Sequence, residues 1–267
     1  MGSVFAPPAS FSLQSLNPLM VFALTAPLGL MIGSFLNVVA YRLPRGESLV
    51  APGSHCTTCG DPVKPWDNIP VLSWLVLRGR CRGCGESISA RYPAIELMTA
   101  VAFVAIALVN GFDLDLLVEL PFAAMLIAVA GIDLEYRIVP NKILLPMAVY
   151  GIGATALVDV SRLPEALIAG AGAFTFLLVA AMVHPAGMGM GDVKLAGVMG
   201  IFLGASIAPA LLIGFLSGSV VGVAILAKHG AAGRKKGVPF APFLALGGIA
   251  GLLAGHELVD LYVKNFL

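Results

Sequence analysis

Charge is what this 267-residue chain has least of. Asp, Glu, Lys and Arg make up 12% of it, about half the share of an ordinary globular domain. A water-soluble fold of this size could not cover its surface with so few. No Lys or Arg precedes Arg42, so the basic n-region of a cleavable signal peptide is missing and the first apolar block is expected to be a retained span. Basic excess is missing as well. The net charge of +1 argues against a nucleic-acid partner, whose binder would carry a strong surplus of Lys and Arg. Strict apolar and polar alternation is absent, which excludes most β-barrel patterns. Cysteine is limited to four residues and tryptophan to two, and all six fall in one segment.

What is present is apolar bulk. Hydrophobic residues are 58% of the chain and there are 31 Gly, together roughly 70%, against about 45–50% in globular domains. They come as unbroken blocks near 19–41, 94–110, 114–132, 143–158, 165–184, 193–207, 209–227 and 240–258, close to the roughly 17–25 residues that a bilayer crossing needs. The expected fold is an all-α polytopic membrane protein of about eight transmembrane helices. Its expected parts are a first helix over 19–42, a small polar domain over 43–93 and a bundle over 94–258.

Orientation follows from the basic residues. With the N-terminus external, the connections after spans one, three, five and seven hold Arg42, Arg45, Lys64, Arg78, Arg80, Arg82, Arg91, Arg137, Lys142, Lys194, Lys228, Arg234, Lys235 and Lys236. Only Arg162 and Lys264 lie elsewhere. Positive charge stays inside, so these connections are expected in the cytoplasm and both termini outside. Gly214, Gly218 and Gly222, and Gly247, Gly251 and Gly255, repeat every four residues. Each set shares one helix face, where a neighbouring backbone can approach closely.

The polar segment carries Cys56-Thr57-Thr58-Cys59 and Cys81-Arg82-Gly83-Cys84, two CxxC pairs with 21 residues between them. That is close to a zinc-ribbon spacing. Four thiolates would close a tetrahedral structural Zn2+ site with no position left for a catalytic water. Gly60 and Gly85 directly follow the pairs and permit the left-handed backbone such knuckles need. Two disulfides or a thioredoxin-like pair are the alternatives. Neither suits a cytoplasmic segment without a βαβ pattern. With Pro44, Pro52, Pro62, Pro65 and Pro70 and little core, the segment is expected to draw much of its folding energy from metal. Trp66 and Trp74 both lie here, Trp74 within an apolar run, 69–77, that either docks on the membrane interface or packs inside the small domain.

Two carboxylates border spans, where an ionisable group is expensive and points to function. Asp133 lies at the inner end of span three, in Gly131-Ile132-Asp133-Leu134-Glu135. Asp192 lies at the inner end of span five, in Gly187-Met188-Gly189-Met190-Gly191-Asp192. The charge-derived topology puts both on one side at similar depth. Facing carboxylates share a proton, so one activates water as a base while the other polarises a carbonyl. Gly189 and Gly191 would let the chain turn and a substrate backbone approach. Taken singly, Asp133 could pair with Arg137 one turn on, and Asp192 could be an N-cap. Glu135 is expected to support the site or be solvated, and Lys194 to snorkel.

Gly33-Ser34-Phe35-Leu36-Asn37-Val38-Val39-Ala40-Tyr41-Arg42-Leu43-Pro44, the tetracysteine segment followed by Arg91-Tyr92-Pro93-Ala94-Ile95-Glu96, Asp133 with Pro140-Asn141, and Gly189-Met190-Gly191-Asp192 with Val193-Lys194-Leu195 resemble, in order, the segments of the type IV prepilin peptidases. These are bifunctional membrane enzymes of the GxGD class of aspartic proteases. The resemblance covers nearly the whole chain and implies Asp133 and Asp192 as the catalytic pair. It also implies cleavage of prepilins and type II secretion pseudopilins after a Gly ending a basic leader. N-methylation of the new terminus with S-adenosylmethionine is implied too, as is a place in the bacterial inner membrane. No Gly-rich Rossmann pattern marks residues for the methyl donor.

Other classes fit less well. A proton-coupled transporter would favour carboxylates near the midplane and internal repeats, and no clear repeat is found. His256-Glu257-Leu258-Val259-Asp260 lacks the second His of HExxH. Gly214-Phe215-Leu216-Ser217-Gly218 is not a GxSG serine-protease signature. A non-catalytic assembly scaffold is the remaining alternative.

Overall fold

The computed structural model describes residues 17–183, 188–230 and 238–266. Gly187, Arg234, Lys235 and Lys236 lie outside the described residues. Helix α1 (Pro18–Arg42) starts where Asn17 caps it, Oδ1 accepting from the Leu19 amide at 2.9 Å, with Pro18 in the first position. Both are ordinary helix-start chemistry. A polar segment follows, containing the short α2 (Leu72–Val76). Then come α3 (Arg91–Asn110), α4 (Leu116–Tyr136), α5 (Asn141–Val158), α6 (Leu163–Val183), α7 (Met190–Leu203), α8 (Ile207–His229) and α9 (Ala241–Phe266). Among the described residues the only β structure is two isolated bridges.

Seven segments are long and apolar enough to cross a membrane. The sixth, Met190–Lys228, holds two helices, because the chain breaks at Gly204 (φ +54) and turns through Gly204–Ser206 before α8 begins. A Cβ on Gly255 would meet Ser206 at this turn, and one on Gly218 would meet Phe240 at the other end of α9. α8 therefore runs back along α9 rather than continuing α7. The eight expected spans correspond to α1 and α3–α9. Of these α7, with 14 residues, is about 21 Å long, short of the roughly 30 Å hydrocarbon core.

α4 is the centre of the bundle. Phe122, Leu126, Val129 and Ile132 on it are fully buried, and Phe122 stacks on Phe202 of α7 with ring centroids 4.6 Å apart. The outer helices put their apolar side chains outward instead. Leu19, Phe22, Leu24 and Met31 of α1 are all more than half exposed, a surface that lipid can solvate and water cannot.

Of the Gly stripes, five positions form the α8–α9 seam. A Cβ on Gly247 would overlap the Ala210 carbonyl oxygen, and those on Gly214, Gly218, Gly251 and Gly255 would press on Phe243, Phe240, Ala210 and Ser206; Gly222 meets nothing within 4 Å. Gly247→Ala is therefore expected to cost roughly 1–3 kcal/mol through overpacking, whereas Gly222→Ala should be neutral or slightly stabilising. Unfolding of both variants in detergent checks this, and equal stability would refute the seam.

Candidate active site and metal centre

Asp133 occupies the last turn of α4, directly after the apolar block ends, and the helix runs on to Tyr136. Its side chain is 5% exposed. Oδ2 accepts from the Ala241 amide at 3.1 Å, so the N-terminus of α9, where backbone donors lack intrahelical partners, closes on the carboxylate. Arg137 does not pair with it. Among the described residues no ion pair joins the two. Arg137 instead ends α4 in the left-handed conformation (φ 56), its amide bonded to the Asp133 carbonyl at 3.0 Å. Arg91 at the start of α3 grips the same turn from the side. Nη2 donates to the Gly131 carbonyl at 2.8 Å and Nη1 pairs with Glu135. Glu135 thus pairs with Arg91 while its side chain stays partly exposed.

Asp192 is the third residue of α7, not its N-cap. The cap is Gly189, in extended conformation, and Asp192 Oδ2 accepts from the Gly189 amide at 3.3 Å, the reciprocal half of a capping box. The side chain is half-buried. Gly191 lies against the α4–α5 connection, where a Cβ would come within 2.8 Å of Val139 Cβ. This close approach lets the Asp192 turn pack beside the Asp133 turn. Lys194 does not snorkel freely: Nζ donates to Asn141 Oδ1 at 3.2 Å, tying α7 to the first residue of α5.

The sequence reading missed Arg91, Val139 and Ala241 as neighbours of the pair. Ala241 had a local signal, Pro242, since Pro marks the first turn of a helix. Arg91 and Val139 had none, because their roles come from packing between helices distant in sequence. His256 lies 15 residues beyond Ala241 on α9, about 22 Å along the helix, far from both Asp.

The four cysteines are free thiols whose Sγ atoms all lie within 4.8 Å of one another. Their two turns are built alike. The amides of Cys56 and Cys81 donate to the carbonyls of Asp61 and Glu86, and those of Gly60 and Gly85 to the carbonyls of Cys56 and Cys81. Gly60 and Gly85 both take the left-handed conformation, φ +77 and +74. The bridges His55–Pro62 and Arg80–Ser87 close the turns. Backbone N–H groups of Cys59 and Thr58 directed at Cys56 sulfur hold its thiol down at about 6. Cys56 and Cys84 sulfurs are 3.8 Å apart, far beyond a disulfide bond. About 3.8 Å is the separation of two thiolates bound tetrahedrally at about 2.3 Å from one ion. The residues present fit a metal site.

At one end of the bundle the turns that carry Asp133 and Asp192 thus pack side by side, and each carboxylate accepts from one backbone amide. Residues 28–110 match the bacterial peptidase A24 N-terminal domain and residues 120–227 the type IV leader peptidase family. The chain is 35% identical to a prepilin leader peptidase/N-methyltransferase of Bacillus subtilis, covering 90% of this chain and 96% of that protein. Proteins of the same name from Aeromonas hydrophila and Pseudomonas aeruginosa are 35% and 32% identical, covering 94% and 93% of this chain and 96% and 95% of theirs. No solved structure matches the chain. The order of the matched segments, the helical bundle and the relatives' near-complete coverage agree, and the chain belongs to the type IV leader peptidase family.

Proposed function

We propose that the protein is a GxGD-type aspartic endopeptidase that cleaves type IV prepilins and pseudopilins after the Gly ending their basic leader, and methylates the new N-terminal amine. The observation that carries this reading is the packing of the Asp192 turn of α7 beside the Asp133 turn of α4, brought together where Gly191 lies against Val139. Each Asp has Oδ2 engaged by a backbone amide, and no other hydrogen bond holds either carboxylate among the described residues.

In the proposed reaction, one carboxylate takes a proton from water as the oxygen attacks the scissile carbonyl carbon. The other carboxyl gives its proton to the carbonyl oxygen. Collapse of the tetrahedral diol breaks the C–N bond, and the leaving amine takes up the proton. The Ala241 amide and the Arg91 clamp fix Asp133. The Gly189 cap fixes Asp192, whose half-exposed side faces the approach of substrate.

S-adenosylmethionine would supply the methyl group. Among the described residues there is no parallel sheet to form a Rossmann-type seat, and no residues are assigned to it. Zn2+ is the ion that suits four thiolates at this spacing. We read residues 43–93 as the zinc domain, between the first helix, 19–42, and the protease bundle, 94–258. Lipid surrounds the bundle. The basic residues support a bacterial inner-membrane protein with the zinc domain and the Asp pair in the cytoplasm and both termini outside. The carboxylates lie at helix ends, which does not favour a transporter's midplane site.

Purified protein in lipid, given a prepilin and S-adenosylmethionine, is expected to release the leader and leave a mature chain carrying one methyl group at its N-terminus. Mass spectrometry of both products checks each half separately. An intact prepilin would overturn the peptidase reading, and a cleaved but unmethylated chain the methyltransferase half.

A further inference from the structure

The tetracysteine segment shows an apolar face that none of the described residues covers. Leu72, Leu75 and Val76 of α2 are 60%, 58% and 77% exposed, and their spacing puts them on one side of the helix. Trp66 and Ile69 are exposed beside them. Ser73 ties the two parts together, its Oγ donating to the Trp66 carbonyl at 2.9 Å and accepting from the Ile69 amide at 3.1 Å. The other tryptophan does the opposite. Trp74 packs on Gly79 and donates Nε1–H to the Ile88 carbonyl at 3.0 Å, so the small domain fills its own interior and still leaves this face open.

The height of the face is fixed by the chain itself. The Val71 amide, at the N-terminus of α2, donates to Glu96 Oε2 at 2.7 Å. Glu96 is buried and lies five residues into α3, about 7.5 Å along the helix from its start. α3 has 20 residues, about the 30 Å of the hydrocarbon core and no more, so its first two turns run from the membrane boundary to just inside it. α2 begins at that level. The polar rim has the matching charge. Arg78 and Arg80 are exposed just beyond α2, and the Lys64 ammonium stands over the Trp66 ring at 5.6 Å from its centroid.

We infer that this face is a lipid-docking surface. Trp66, Ile69, Leu72, Leu75 and Val76 sit at and just below the headgroups of the leaflet from which α3 emerges, and Lys64, Arg78 and Arg80 lie among acidic lipid phosphates. An apolar patch with a Trp at its edge and basic residues around it is the composition of an interfacial anchor. Docking holds the metal domain against α3, whose Arg91 grips the Asp133 turn.

The two tryptophans make this testable in the full chain. Trp74→Phe leaves Trp66 as the sole emitter. The protein is reconstituted in phosphatidylcholine–phosphatidylglycerol vesicles, with or without phosphatidylcholine brominated in the upper acyl chain. Trp66 emission is expected to fall at least about twofold in brominated vesicles, as for an interfacial Trp, and to resist aqueous acrylamide. If Trp74→Phe loses its bound metal, wild type and Trp66→Phe replace it, and the bromine-sensitive emission should disappear in Trp66→Phe. Leu75→Glu with Val76→Glu should abolish the bromine effect while the metal stays bound. Emission indifferent to bromine and open to acrylamide would overturn the proposal. So would emission shielded from both and dependent on protein-to-lipid ratio, which would mean that a second copy covers the face.

Discussion

Asp133→Asn and Asp192→Asn are each expected to lower prepilin cleavage at least about a thousandfold, at the upper part of the range for loss of an acid–base group, with little change in KM. The substitution separates chemistry from structure at both positions. The amide oxygen of Asn can still accept from Ala241 N–H at one site and from Gly189 N–H at the other, so helix ends and packing persist. What disappears is the ability to take a proton from water or to hold the shared one. In the proposed mechanism the two carboxyls act as a unit, so the double variant should be no worse than the more damaged single one. Initial rates on a purified prepilin, read from the mass of the product, measure the effect. Cleavage within about tenfold of wild type by both variants would remove the aspartic mechanism and leave the fold untouched.

Such a clean test exists because the local frame of each carboxylate is backbone, and that frame was only partly legible in the residues. Hydropathy blocks locate where a helix is solvated by lipid, and they stop when the composition turns polar. The helices do not stop there. α4 continues through Asp133 and Glu135 because Arg91 compensates Glu135 and Arg137 supplies the left-handed cap. α9 continues to Phe266 through His256, Glu257 and Asp260, far past the apolar block ending near 258. The Cys pairs and the Gly repeats were readable because their geometry is local, one turn or one helix face. Gly204 could mark the break between α7 and α8 only through its φ of +54, a property set by the packing of its flanks. The closing of Ala241 on Asp133 joins residues 108 apart, a contact that no window of sequence contains.

The metal centre gives the second large effect, and it should be confined to its own domain. Between residues 43 and 90 only Gly79 is buried, so hydrophobic burial contributes little to this segment beyond the packing of Trp74 on Gly79. Its order rests on two short turns, two isolated bridges, a few polar ties such as Arg82–Asp67 and Val71–Glu96, and the four sulfurs gathered at one point. Removing one thiolate leaves a three-ligand site, and a hydroxyl is a poor substitute for it. Cys56→Ser and Cys84→Ser are therefore each expected to lower the zinc content of the purified chain from about one per molecule to below about 0.1, since binding and folding are one equilibrium in such a domain. Protease should then cut within 43–90. The bundle has its own core around Phe122, Leu126 and Val129, so helical circular dichroism should stay near wild type. Elemental analysis and limited proteolysis read the two consequences independently. Full zinc in both variants would refute the four-thiolate site. Zinc loss without new cleavage would instead mean that lipid docking through Leu72, Leu75 and Val76 orders the segment without its metal.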